Sequence, residues 1–203
     1  MSLVSVTPDV VMSDSVCAAV CETETPQGLM AICRQPRSSL SEVCGRPGPI
    51  VWADEVSDPG NLGTIIRTVS AVAGAGVVTS PRTVDPFNGK VVRSSAGSVI
   101  TVPLIAEEPI ESTVSELRAA GRPIVVLAGD ASQDVFEALR GSIIPAHACW
   151  VVGSEARGVS AAVRASAEHE VRIPIPGDAE SLNAAVAASV ALYAAWDHVG
   201  PWA

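Results

Sequence analysis

The chain has 203 residues, 48% of them apolar and 17% charged, with a formal net charge of −9. That length and apolar content exclude a disulfide-stapled miniprotein and wholesale disorder, because such a chain can bury enough surface to offset the entropy of ordering it. Thirteen basic residues, among them a single lysine, Lys90, argue against a general basic coat for nucleic acid, so any RNA partner is expected to be met by a small patch, a second subunit or a segment outside this sequence.

Residues 1–48 are rich in Ser, Thr, Pro and Cys, and their start has neither the basic block nor the apolar run of a secretory signal, which points to a cytoplasmic protein. Four of the five cysteines lie here (Cys17, Cys21, Cys33, Cys44), with Cys149 far downstream. An odd count, irregular spacing and no neighbouring histidine argue against a disulfide framework or a zinc module; buried or incidental thiols and no metal are expected. Residues 34–49 are dense in turn formers and read as a linker.

From residue 49 onward, short β-branched runs alternate with helical patterns, the rhythm of parallel strands joined by crossover helices. Strands are expected over 50–56, 76–79, 99–105, 124–128, 149–152 and 171–175. Helices are expected over 62–73, 110–120, 135–139, 159–167 and 181–196. The last run falls short of the roughly 20 apolar residues that span a bilayer, so no membrane span is expected. It is apolar on nearly every face, which implies burial on several sides or packing against another subunit. In open α/β sheets ligands bind beyond the carboxyl ends of the strands, and three loops at such ends stand out.

The first runs Asp58-Pro59-Gly60-Asn61-Leu62-Gly63 into a helix with Leu62, Ile65, Ile66, Val69 and Ala73 on one stripe. Asn61 falls at the expected N-cap, and Arg67 lies off the stripe one turn beyond Gly63, whose missing side chain leaves room for an approach to the guanidinium. The second loop is Gly153-Ser154-Glu155-Ala156-Arg157-Gly158. It has neither the G-x-G-x-x-G glycines of a dinucleotide site nor the G-x-S-x-G spacing of a nucleophile elbow, and its charges could simply solvate a turn. The third is Ile173-Pro174-Ile175-Pro176-Gly177, then Ser181-Leu182-Asn183, with Ser181 a candidate N-cap.

Taken together, N-L-G-x-x-x-R at 61–67, G-S-E-A-R-G at 153–158 and I-P-I-P-G…S-L-N at 173–183 resemble the three signature motifs of the SpoU (TrmH) branch of the SPOUT methyltransferases. Asp85-Pro86 through Lys90, Arg93, Ser94 and Gly97 resembles the stretch between the first two motifs, and Thr25-Pro26-Gln27-Gly28 the end of a small RNA-recognition domain. The resemblance implies an α/β, parallel-sheet SPOUT methyltransferase domain over 49–203 with a C-terminal trefoil knot. Residues 1–48 would be a shortened remnant of the recognition domain plus linker. It also implies a homodimer that transfers a methyl group from S-adenosylmethionine to a ribose 2′-hydroxyl, with rRNA the favoured substrate over tRNA. Asn61, Arg67, Glu155, Ser181 and Asn183 match the catalytic positions. Gly153, Ile173 and Leu182, with Leu127, Ala128 and Gly129, match positions that hold the cofactor.

The chemistry agrees with these residue types. Methyl transfer from a sulfonium needs alignment of the two reactants and stabilisation of developing oxyanion charge. Arginine suits the second task as an electrostatic stabiliser, since its pKa above about 12 makes it a poor base. The alternative is a non-catalytic RNA- or cofactor-binding module acting in ribosome assembly, which would have no need to keep five such polar groups.

Overall fold

The computed structural model describes residues 9–21, 23, 25, 26, 28–200 and 202, so Gln27 of the 25–28 run lies outside the described residues. The chain divides into two units between Arg34 and Gln35. In the first, α1 (Asp14–Val20) is capped by the Ser13 hydroxyl and leaves Val16 and Val20 exposed. Its Cys17 and Cys21 sulfurs lie one helical turn and 3.8 Å apart as free thiols.

The second unit begins with α2 (Leu40–Cys44), inside the segment expected to be linker. Ser39 and Glu42 form a reciprocal capping box that nucleates this short helix, and Leu40, Val43 and Cys44 are buried. Seven strands follow in a single parallel sheet, in the order β3 (Leu104–Ile105), β2 (Gly76–Thr79), β1 (Ile50–Asp54), β6 (Cys149–Gly153), β4 (Ile124–Leu127), β7 (His169–Arg172), β5 (Gln133–Asp134). Parallel strands need crossovers, here α3 (Pro59–Ala71), α4 (Gly89–Ser94), α5 (Ser98–Thr101), α6 (Ile110–Ala119), α7 (Val135–Arg140) and α8 (Ala161–Arg164), and α9 (Ala184–Val199) follows the last strand.

Strand side chains alternate between the two faces of the sheet and build a core on each. Val51, Ala53, Val77, Val125, Trp150 and Val152 pack on one side with residues of α3, α7 and α9. Ile50, Trp52, Val78, Ile124, Val126 and Val151 pack on the other with α2, Leu117 of α6 and Val163 of α8. No helix among the described residues is long and apolar enough to cross a membrane.

The helix expected over 159–167 covers only Ala161–Arg164, and the one expected over 181–196 runs over Ala184–Val199; three further expected elements differ in ways that bear on the site. Residues 99–105 are not one strand: Gly97, at φ 89°, starts the α5 turn, and only Leu104 and Ile105 pair with β2. The strand expected over 171–175 runs instead over 169–172, which releases Ile173 and Ile175 into the following loop. The helix expected from 62 to 73 starts at Pro59 and ends at Ala71, so Ala73 leaves the apolar stripe and is exposed with φ 52°.

Candidate active site

Because all seven strands are parallel, the loops after β1, β4, β6 and β7 emerge at one edge of the sheet. Between three of them lies a cleft of about 530 Å³, within the size range of small-molecule sites. Leu127, Ala128 and Gly129 line it from the β4 end, Gly153 and Glu155 from the β6 end, and Ile173, Ser181 and Leu182 from the loop after β7.

The loop after β6 closes on itself: Ser154 and Gly158 exchange backbone hydrogen bonds of 3.0 and 2.7 Å. Gly153 lies so close beneath this turn that a β-carbon there would overlap Gly158 and Val159 backbone atoms. Glycine is therefore required at 153 for packing, and at Gly158 for its φ of 68°.

Asn61 is not the N-cap of α3. Asp58 takes that role, accepting a 2.8 Å bond from the Asn61 backbone N–H with Pro59 at the first helical position, so the Asn61 side chain is released. It is buried and spans two other loops: its Nδ2 donates to Glu155 Oε1 at 2.5 Å, and its Oδ1 accepts from Asn183 Nδ2 at 2.8 Å.

Asn183, not Ser181, caps α9, its Oδ1 accepting from the backbone N–H groups of Ala185 and Val186 at 2.9 and 3.2 Å. Those donors fix the Asn183 amide so that its NH₂ faces Asn61, which in turn must aim its own NH₂ at the Glu155 carboxylate. Hydrogen bonds in such a series polarise one another. Three motifs separated by 94 and 122 residues are thereby joined in one relay.

Ser181 lines the cleft, exposed, with no hydrogen-bond partner among the described residues. Arg67 stands apart. It lies six residues beyond Asn61 on the exposed side of α3, outside the cleft lining, and has no ion-pair partner among the described residues. Nor does Gly63 leave room beside it: Ser94 of α4 fills that space, its Cβ 2.8 Å from where a Gly63 β-carbon would stand, so the glycine serves helix packing.

A model of the SpoU rRNA methylase family matches residues 48–193. The chain belongs to that family. A 23S rRNA (guanosine(2553)-2′-O)-methyltransferase, RlmP of Bacillus subtilis, is 37% identical over 185 residues, covering 90% of this chain and 70% of that protein. A 23S rRNA (uridine(2479)-2′-O)-methyltransferase of Streptomyces viridochromogenes is 32% identical over 182 residues, covering 86% of this chain and 61% of that protein. The crystal structure of an AdoMet-bound rRNA methyltransferase from Sinorhizobium meliloti superposes with a TM-score of 0.84 at 31% identity, covering 92% of this chain and 70% of that one.

Several residues that brace this SpoU-family site carried no motif signal. Arg164 donates to Asp130 at 3.0 Å and to Glu170 at 2.6 and 2.9 Å, and so ties the loop next to Gly129 to β7. These bonds hold the Asp130 and Glu170 carboxyls below their usual range. Buried Arg122 donates to the carbonyls of Cys44, Gly48, His147 and Arg46 and locks α2 to the sheet; burial lowers its pKa. Asp58 was readable, because Asp-Pro before an apolar-periodic run is a helix-start signature. Burial pushes the Cys44 and Cys149 thiols up, the behaviour of structural rather than reactive cysteines.

Proposed function

We propose that this chain transfers the methyl group of S-adenosylmethionine to a ribose 2′-hydroxyl of ribosomal RNA. The observation that carries the reading is the Asn183–Asn61–Glu155 relay at the rim of a cleft built by the three family motifs. The cleft fits the donor: backbone at 127–129 and 153 can approach a ligand closely, and Ile173 and Leu182 offer apolar walls for a flat base.

Bound S-adenosylmethionine supplies a methyl group already activated on a sulfonium. The residues here then have to position a hydroxyl and steady the charge that develops on its oxygen. The exposed Ser181 hydroxyl is available to orient the ribose, and the relay holds Glu155 and the α9 terminus in register around it. Arg67, exposed and without an ion-pair partner among the described residues, lies outside the cleft lining and is available to a phosphate of the bound RNA, through which its charge would act on the reacting ribose.

We also infer a homodimer in the cytoplasm. Val186, Tyr193 and Trp196 recur at helical spacing on α9 and are 46%, 50% and 42% exposed, an apolar stripe that a second copy would cover. Incubation with methyl-labelled donor and unmodified rRNA tests the reading: label should appear on ribose and be lost with Arg67→Ala. Label on a base, or donor binding without transfer to any RNA, overturns it, and the second result favours a binding module instead.

A further inference from the structure

The proposed transfer leaves Arg157 of the second motif unused, and a chain of net charge −9 must still hold an RNA strand. Arg157 is not a free charge solvating a turn. Its Nη2 donates to Glu55 Oε2 at 2.6 Å, and the other oxygen of that carboxylate accepts from Arg82 Nη2. The Glu55 side chain is only 9% exposed, whereas those of Arg82 and Arg157 are 74% and 69% exposed. One buried carboxylate thus anchors one nitrogen of each guanidinium, and the remaining N–H groups of both face outward without a partner among the described residues. The trio carries a net charge of about +1 with both forks preorganised.

The backbone supports this placement. Glu55 and Arg82 both sit in the left-handed region, at φ 55° and 71°, a conformation unfavourable for side-chain-bearing residues that persists where surroundings enforce it. Ser80 Oγ accepts from the Glu55 N–H at 3.0 Å and donates to Asp54 at 2.8 Å, while Asp54 also accepts from the Ser160 N–H at 2.7 Å. The ends of β1 and β2 and the loop after β6 are therefore one braced unit. β1, and β2 beyond it, lie on the side of β6 away from β4 and β7, so Arg157 leaves the 154–158 loop toward Glu55 and Arg82, on the side opposite the β4 and β7 ends that line the cleft. The other acidic side chains of this unit are engaged: Asp54 accepts from Ser80 and Ser160, Asp58 caps α3, and Glu155 accepts from Asn61.

We propose that Arg82 and Arg157, paired through Glu55, form a binding site for a backbone phosphodiester of the RNA strand whose ribose enters the cleft. Two forks that converge on one anion give charge-assisted bonds and fix the strand's direction across the loop that carries Glu155. The assignment rests on the RNA-methylation reading, and its test is independent of turnover.

Arg82→Ala is the informative variant, since Arg82 lies outside all three motifs. Binding of a fluorescent 23S rRNA transcript is measured by anisotropy over a salt series, alongside calorimetry with S-adenosylmethionine. The expected result is RNA affinity lowered about tenfold and a salt slope smaller by about 1, with donor affinity and melting temperature unchanged. A further loss is expected in Arg82→Ala/Arg157→Ala. RNA affinity and salt slope equal to wild type in Arg82→Ala overturn the site, as does a wild-type protein that binds no RNA. RNA binding weakened by Arg82→Ala in a protein that transfers no methyl group keeps the phosphate site and overturns the methylation reading alone.

Discussion

A methyl group added at Gly153 would have to occupy space held by the backbone of Gly158 and Val159, which no rotamer change can vacate. Gly153→Ala is expected to cost upwards of about 3 kcal/mol in chemical denaturation and to abolish donor binding, because the loop that lines the cleft must lift off. Asn183 separates two roles. Asn183→Asp keeps an oxygen to cap α9 but replaces the NH₂ that meets Asn61 Oδ1, so melting should change little while methyl transfer falls at least tenfold. Asn183→Ala should add about 1 kcal/mol of lost capping. At this scale the motif residues were legible but their partners were not. Asn61 and Ser181 both read as caps because small polar residues at helix starts usually are. The actual caps, Asp58 and Asn183, leave Asn61 free for a relay whose other members lie 94 and 122 residues away, a distance no local pattern reports.

At the scale of elements, the braces are arginines. Arg164 depresses both Asp130 and Glu170, and a carboxylate whose folded-state pKa is lowered contributes stability at neutral pH that is lost as pH falls through that value. Wild-type melting temperature should therefore drop between about pH 5 and pH 3 more steeply than that of Arg164→Met, which has no such bonds to lose. Arg122→Met strands the carbonyls of Cys44, Gly48, Arg46 and His147 and should cost about 3–5 kcal/mol, measured by urea denaturation.

Most element types from residue 50 onward followed from periodicity, but the short α4 and β5 carried no such signal and one run was misassigned. The 99–105 run is β-branched, yet residues 98–101 make a helical turn after the left-handed Gly97, so tertiary context overrode strand propensity. The segment read as linker hides α2 because turn formers outnumber the three apolar residues that bury it.

For the whole molecule, alternating strands and helices indicated a parallel sheet, while the strand order, with β6 between β1 and β4, could not be read from sequence. A knot depends on how the chain threads rather than on any local pattern, so it entered through resemblance alone. The apolar α9 was legible as a packing element; its exposed stripe carries the dimer proposal, and Trp196→Glu should shift sedimentation from dimer to monomer without unfolding the sheet. We propose that three distant loops make one donor site. Hydrogen–deuterium exchange with and without S-adenosylmethionine measures it directly: protection should rise together in 127–129, 153–158 and 173–183. Protection confined to one of these segments, or absent from all three at saturating donor, would contradict it.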